Sequence, residues 1–214
     1  MKKDVKPENQ PKRPQRANGV SRFNALVEAT EQLLNEVGSS GVTIQAVAKR
    51  AGVPMASVYH FFPSPVAACV AVAEKHLNCL LDLVRQASLE TTSLENHVSH
   101  LEVMRATVAY YNQHPAAREL ILGSDYNTQI RHADLAANNS IALTIASSLS
   151  DSTHRNSALD LHLVGRTCVN ICDAIWSLSV AETGKITAGH AREAERAITA
   201  YLSAVLQQIQ NDND

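Results

Sequence analysis

The sequence predicts an all-α protein in two parts, a small N-terminal helical domain and a larger C-terminal one. Apolar residues recur at helical spacing of three and four over most of the 214 residues. Aromatic residues make up only 4% of the chain, which has eight glycines and seven prolines, whereas strand-rich sandwiches usually carry more of these types. The length of the chain and its 45% of hydrophobic residues are sufficient for a sizeable buried core.

Residues 1–20 are predicted to be a disordered basic arm. They contain three prolines, five lysines or arginines up to Arg13, and almost nothing apolar, so they cannot offset the entropy of ordering. No apolar stretch follows the basic residues, which argues against a secretory signal. No apolar run approaches the ~18–20 residues that a membrane helix needs. We therefore expect a cytoplasmic protein that has no membrane partner.

Charge is distributed unevenly along the chain. Residues 1–63 hold nine lysines or arginines and five acidic residues, whereas residues 64–214 hold ten and sixteen. Seven of the first nine basic residues precede residue 23. A basic N-terminal end on a chain of net charge −2 indicates a polyanion partner at that end only.

Residues 21–63 are predicted to form three short helices. The first begins at Ser21 as an N-cap and ends at Gly38, with apolar residues repeating on one side. Thr43 is expected to cap a second helix that ends near Arg50.

Gly52 then breaks the second helix, and Pro54 opens a third that runs to about Phe61. Val58 and Phe62 are its expected buried anchors. The second and third helices, joined by a turn that contains glycine, form a helix-turn-helix candidate. In such a motif the third helix enters the DNA major groove and presents its outer side to base edges.

A resemblance to a known family rests on residues 43–64, TIQAVAKRAGVPMASVYHFFPS. The capping Thr43, the AKRAGV block over 48–53 and the Y-x-x-F pattern of Tyr59 and Phe62 resemble the DNA-binding segment of the tetracycline-repressor (TetR) family. Positions in the first helix also match, namely Phe23, Ala29 and Leu33. The resemblance implies a ligand-responsive transcriptional repressor that is not an enzyme and needs no cofactor.

The resemblance also implies roles for individual residues. Thr43 touches phosphate, Gln45 faces the edge of the groove, and Tyr59 bonds a phosphate through its hydroxyl. The positions that read bases or groove methyl groups are Met55, Ala56, Ser57 and His60.

One position departs from the family pattern. Pro65 stands where members commonly have a lysine that contacts phosphate. The N–H groups of a helix N-terminus are expected to substitute in part. Arg22 and the basic arm, with Lys12, Arg13 and Arg16, are expected to supply the missing positive charge through the minor groove.

Residues 64–214 are predicted to form a helical ligand-binding and dimerisation domain. The expected helices span about 64–88, 93–114, 115–122, 127–149, 157–182 and 187–210. The last two are more apolar than a monomer's surface permits, so pairing them with a second copy would give a four-helix bundle. A homodimer would also hold two reading helices about 34–36 Å apart on a palindromic operator.

The middle helices are expected to enclose a cavity for a small, partly apolar effector, as in the family resembled. The candidate lining residues are His100, Met104, Val108, Tyr111, Leu120, Ile141, Ile145, Asn170 and Trp176.

Two alternatives remain open from the residues. His97 and His100, with Glu95 and Glu102 nearby, have the spacing of a weak metal site in a helical enzyme, although no third ligand is fixed and we predict no metal. Cys168 and Cys172 lie one helical turn apart and could form a thiol-redox sensor.

Overall fold

The computed structural model describes residues 9–90, 96–123, 128–153 and 159–211. In these ranges the backbone forms helices and no strands, which confirms the predicted all-α fold. In chain order the helices are α1 (Ala17–Val37), α2 (Ile44–Ala51), α3 (Met55–Phe61), α4 (Pro65–Glu90), α5 (Asn96–Gln113), α6 (Pro115–Ala117), α7 (Thr128–Thr153), α8 (Leu161–Thr183) and α9 (Ala188–Asn211).

The chain divides into two compact units. The N-terminal unit comprises Met1–Leu77 and His114–Asp134, and the C-terminal unit comprises Asn78–Gln113 and Leu135–Asp214. The predicted boundary lies near residue 64, whereas the two compact units divide within α4. Residues 67–73 of that helix are all buried in the core of the N-terminal unit.

Helix α1 begins at Ala17, four residues before the predicted start at Ser21. Its first turn is closed by the N–H groups of Gly19 and Val20, which donate to the carbonyl oxygen of Arg16 at 2.9 and 3.0 Å. The helix therefore takes in part of the segment that composition had assigned to the disordered arm.

The segment immediately before α1 is also held in place, which corrects a second part of that prediction. The backbone N–H of Lys12 donates to the carbonyl oxygen of Phe61 at 2.8 Å, and Arg13 pairs with Glu74 at 2.5 Å. Both partners are distant in sequence, so local composition carries no sign of them. Residues 1–8 of the predicted arm lie outside the described residues.

Local sequence sets the ends of α2 as predicted. The Thr43 hydroxyl accepts a hydrogen bond from the N–H of Ala46 at 3.1 Å, which satisfies a donor of the first turn. Gly52 ends the helix in the left-handed conformation, with φ 66° and ψ 31°. This turn fixes the direction in which α3 leaves α2.

The core of the N-terminal unit joins α1, α2, α3 and the first part of α4. Its largest fully buried apolar side chains are Leu26, Val47, Val58, Phe62 and Val72. Within the described residues no single helix is long and apolar enough to cross a membrane, although α3 and Pro65–Gln86, bent by 59°, meet that criterion as a pair.

The segment after α5 packs on α1. The short α6 continues into a π-helical turn, Arg118–Leu122. The N–H of Ala116 donates to the side-chain oxygen of Asn35 at 3.0 Å, and the N–H of Ser39 donates to Glu119 at 2.6 Å. These bonds tie this segment to the end of α1.

In the C-terminal unit, polar side chains cap the start of α8 and bind the turn before α9 to α5. Asp160 caps α8 by accepting from the N–H of Leu163 at 3.0 Å. Asn112 of α5 bonds both backbone groups of Ile186, donating at 2.9 Å and accepting at 3.0 Å. These contacts position the start of α8 and the turn that leads into α9.

Candidate nucleic-acid interface

Helix α3 has one buried and one exposed side. Val58 and Phe61 are buried, whereas Met55 and Tyr59 expose 49% and 51% of their surface. His60 is also exposed. The residues expected to read DNA are therefore on the solvent side of α3, where Ala56 is exposed and Ser57 half-buried.

A cluster of three phenylalanines holds α3 against α1. The ring of Phe23 meets Phe61 and Phe62 edge-on, with centroid distances of 5.9 and 5.2 Å. Edge-to-face pairs of this kind add to the stability gained from burial alone. Val58 and Phe62 are buried as predicted, and Phe61 is a further anchor that the helical pattern had not singled out.

The start of α1 and the exposed side of α3 border one open cavity of about 960 Å³. Three arginines line it: Arg13, Arg16 and Arg22. Its remaining lining includes Ala56, Ser57 and His60 of α3, together with residues 14, 15, 17–19 and 61. We call this concavity the arginine groove. It brings basic residues of the predicted arm next to residues that the resemblance assigned to base reading.

The arginines near this surface differ in their partners. Arg50 is bound to Glu36 by two hydrogen bonds of 2.8 and 2.5 Å, and this pairing lowers the pKa of Glu36 and raises that of Arg50. Arg13 pairs with Glu74. Arg16 and Arg22 are exposed. The protein itself therefore compensates the charge of Arg50 and Arg13, and Arg16 and Arg22 are better placed to meet an external anion.

Two further residues that are expected to contact DNA, one just before α2 and one in its first turn, are exposed. Thr43 caps the helix as described, and its side chain is at the surface. Gln45 lies in the first turn and is exposed.

At Pro65, the start of α4 is capped from within the protein. The hydroxyl of Ser64 accepts from the N–H of Ala67 at 3.2 Å and donates to the side-chain oxygen of Asn9 at 3.0 Å. The N–H of Ala67, one of the helix N-terminal donors expected to contact phosphate in place of the family's lysine, is therefore already bound within the protein.

The residues expected to line an effector cavity fall in different environments. In the C-terminal unit Met104, Tyr111 and Trp176 are buried, and the rings of the last two are 6.3 Å apart. Val108, Ile141, Ile145 and His100 are half-buried. Asn170 is exposed and donates to the carbonyl oxygen of Arg166 at 2.7 Å, whereas Leu120 belongs to the core of the N-terminal unit.

The two cysteines of the redox alternative are buried thiols. Burial raises the pKa of Cys168 to about 11 and also raises the pKa of Cys172. Because the thiolate is the reactive form, these thiols are poorly suited to redox sensing. The redox alternative is therefore not favoured.

The alternative metal site cannot be built from the described residues. Glu95 and the side chain of His97 lie outside them, while Glu102 is exposed.

Comparisons with solved structures find the same fold elsewhere. A TetR-family transcriptional regulator from Streptomyces coelicolor is 24% identical, with a TM-score of 0.65 over 86% of this chain and 99% of the other. A putative TetR-family regulator from Mesorhizobium loti is 16% identical, with a TM-score of 0.68 over 86% and 96%. FadR from Thermus thermophilus, solved in complex with lauroyl-CoA, is 17% identical, with a TM-score of 0.62 over 83% and 93%. A search of curated proteins finds no match.

Two family descriptions match the sequence itself. Residues 26–64 match "Bacterial regulatory proteins, tetR family", and residues 101–202 match "Tetracyclin repressor-like, C-terminal domain". The helix-turn-helix and the helical fold around it define a DNA-binding transcriptional regulator. The chain belongs to the TetR family, whose members are ligand-responsive DNA-binding repressors and typically not enzymes.

Proposed function

We propose that this chain represses transcription in the bacterial cytoplasm by binding a palindromic operator as a homodimer, and that a small effector releases it. The observation that carries the proposal is the exposed side of α3, held by buried Val58 and Phe61 beneath it. The major groove of B-DNA admits an α-helix, and such a helix reads bases through the side chains that it exposes.

In this proposal the exposed residues have separate tasks. Base edges and thymine methyl groups are contacted by Met55, Ala56, Ser57 and His60. Phosphates are contacted by Arg22, Thr43 and Tyr59, while Gln45 lies at the edge of the groove. Phosphate contacts fix the register on the duplex, and base contacts give the specificity.

Selection from random double-stranded DNA with the full-length protein tests the reading of bases. We expect a two-fold symmetric sequence whose half-sites are one helical turn, about 10 base pairs, or a multiple of it apart. Met55→Ala and His60→Ala should each relax the preference at particular positions, with losses on the order of 1–3 kcal/mol. Val37→Ala and His132→Ala change exposed residues elsewhere and serve as matched controls. Unchanged preferences in both α3 variants would contradict the proposal.

The dimer is supported by apolar side chains on the outer side of α8. Val164 and Trp176 point into the C-terminal unit and are buried. Leu163 and Leu178, by contrast, expose 56% and 53% of their surface, and half-buried Ile171 lies between them along the same side. A second copy packed on this side would remove these residues from water.

Analytical ultracentrifugation of a Leu163→Glu/Leu178→Glu variant tests this interface. We expect a dimer for the wild-type protein and a monomer for the variant, because two carboxylates per chain would have to be buried in the interface. Leu143→Glu on α7 is the matched control, since Leu143 is a similarly exposed leucine on another helix. A monomeric wild-type protein, or a variant that still dimerises, would exclude this interface.

An effector in the C-terminal unit would act by preferring one arrangement of the dimer over another. Effector and operator would then weaken each other's binding reciprocally, with a coupling of ~1–3 kcal/mol. Trp176 is the chain's only tryptophan, is buried and has Tyr111 next to it, so its fluorescence can report binding in this unit.

Lauroyl-CoA is a reasonable first probe, because it occupies the structurally similar FadR of Thermus thermophilus. We expect it to change Trp176 fluorescence and to bind about 5–150 times more weakly when the operator is present. If it binds equally well with and without operator, it is not the releasing effector.

A further inference from the structure

Three side chains that are distant in sequence meet inside the N-terminal unit. Glu31 comes from α1, His76 from α4, and His114 from the residue between α5 and α6. One donor atom from each lies within 4.8 Å of the other two. His76 is only 1% exposed, while Glu31 and His114 are half-buried.

We propose that Glu31, His76 and His114 bind one divalent transition-metal ion of the Zn²⁺ class. Two imidazole nitrogens and one carboxylate oxygen form a donor set that suits Zn²⁺, Co²⁺ or Ni²⁺ rather than Mg²⁺ or Ca²⁺, which prefer oxygen. Three protein ligands also leave room for a water molecule or another small ligand in a tetrahedral site. The proposal is independent of DNA binding and of the effector.

The geometry is close to what coordination needs. Bonds of about 2.0–2.2 Å in a tetrahedral site place neighbouring donor atoms roughly 3.3–3.5 Å apart. The Nε2 atom of His76 is 3.0 Å from Oε1 of Glu31, and the rings of His76 and His114 have centroids 5.3 Å apart. One donor atom from each residue lies within 4.8 Å of the other two, so metal binding requires the wider pairs to close by at most about 1.5 Å.

A neighbouring residue orients the carboxylate. The Nζ atom of Lys75 is 2.6 Å from Oε2 of Glu31, so Oε1 is the oxygen that faces His76. Ligating carboxylates are commonly held in this way by an outer partner. Lys75 is itself exposed, so solvent screens its charge from a bound cation.

A bound metal ion would replace the direct contact between Nε2 of His76 and Oε1 of Glu31, which already holds these two side chains together without a metal. The experiment therefore has to separate a metal site from a network of hydrogen bonds and ion pairs.

The experiment titrates the full-length protein, stripped with a chelator, with Zn²⁺ and with Co²⁺ as a spectroscopic probe. We expect one metal ion per chain and a Co²⁺ absorption spectrum typical of four-coordinate nitrogen and oxygen ligands. Glu31→Gln and His114→Ala should each weaken binding about 100-fold or more, since loss of an outer partner alone costs 10–100-fold. His132→Ala, which removes an exposed histidine of the same unit, should leave the affinity unchanged.

A second measurement does not depend on the variants folding. X-ray absorption at the zinc edge of the wild-type protein should count two imidazoles and no sulfur ligand. The proposal is overturned if the wild-type protein binds no stoichiometric metal, or if its spectrum shows thiolate ligation. It is also overturned if folded Glu31→Gln and His114→Ala variants bind Zn²⁺ as tightly as the wild type does.

Discussion

The salt dependence of operator binding should show whether the exposed arginines of the arginine groove bind phosphate groups of the DNA. Arg16 and Arg22 line this groove and are exposed, whereas Arg13 pairs with Glu74. Each phosphate contact contributes about 0.9 to the slope of log K against log salt. Two such contacts per chain, doubled in a dimer, contribute about 3.6.

The perturbation is therefore the double variant Arg16→Ala/Arg22→Ala, with operator affinity measured by fluorescence anisotropy at several salt concentrations. The magnitude of the slope should fall by about 3.6. Between 50 and 200 mM salt, the wild-type protein should then lose roughly 150-fold more affinity than the variant does.

A matched control removes two positive charges from elsewhere on the protein. Lys185 and Arg192 are exposed residues of the C-terminal unit, so Lys185→Ala/Arg192→Ala changes the net charge equally without touching the groove. Its slope should stay close to that of the wild type. An unchanged slope in Arg16→Ala/Arg22→Ala, or an equal change in the control, would refute the reasoning.

Three further predictions concern stability and reactivity. Gly52→Ala should lower the free energy of unfolding by about 1–2 kcal/mol, because alanine disfavours the left-handed backbone conformation of this residue. The added carbon itself meets nothing within 4 Å. In thermal unfolding, Gly52→Asn should lower the stability less than Gly52→Ala does. Gly165→Ala should lower the free energy of unfolding by about 1–3 kcal/mol or more, because the new carbon would lie 2.4 Å from the carbonyl oxygen of Ala142. Gly189→Ala is the control: its new carbon has space, so the variant should be as stable as the wild type or slightly more stable. Iodoacetamide at pH 8 should modify Cys79, the exposed cysteine, well before the three buried ones, and equal rates at all four would contradict the burial described here.

The helices could be predicted because helical periodicity is a local property. The burial of Val58 in α3 follows from spacing along a few residues, and so does the exposed side of that helix, whereas the burial of Phe61 does not. The turn between α2 and α3 was likewise predictable, since a glycine between two apolar patterns marks a left-handed end. The resemblance that rests on these residues is confirmed by the family matches.

The start of the chain shows where local reasoning fails. Composition assigned residues up to 20 to a disordered arm, yet Lys12 and Arg13 bond Phe61 and Glu74, partners about 50 and 60 positions away. The composition of a segment indicates how much entropy it loses on ordering. It carries no information about distant residues to which the segment can bind.

The sequence by itself determined the helical fold, the helix-turn-helix and the exposed side of α3, because all three depend on neighbours within one or two turns. Only the tertiary structure decided that Arg16 and Arg22 line one groove with α3, and that Glu31, His76 and His114 converge. These groups come from separate helices and loops, and their distances are set by how the core packs. No spacing along the chain encodes such a meeting, so it becomes visible only when the helices are in place.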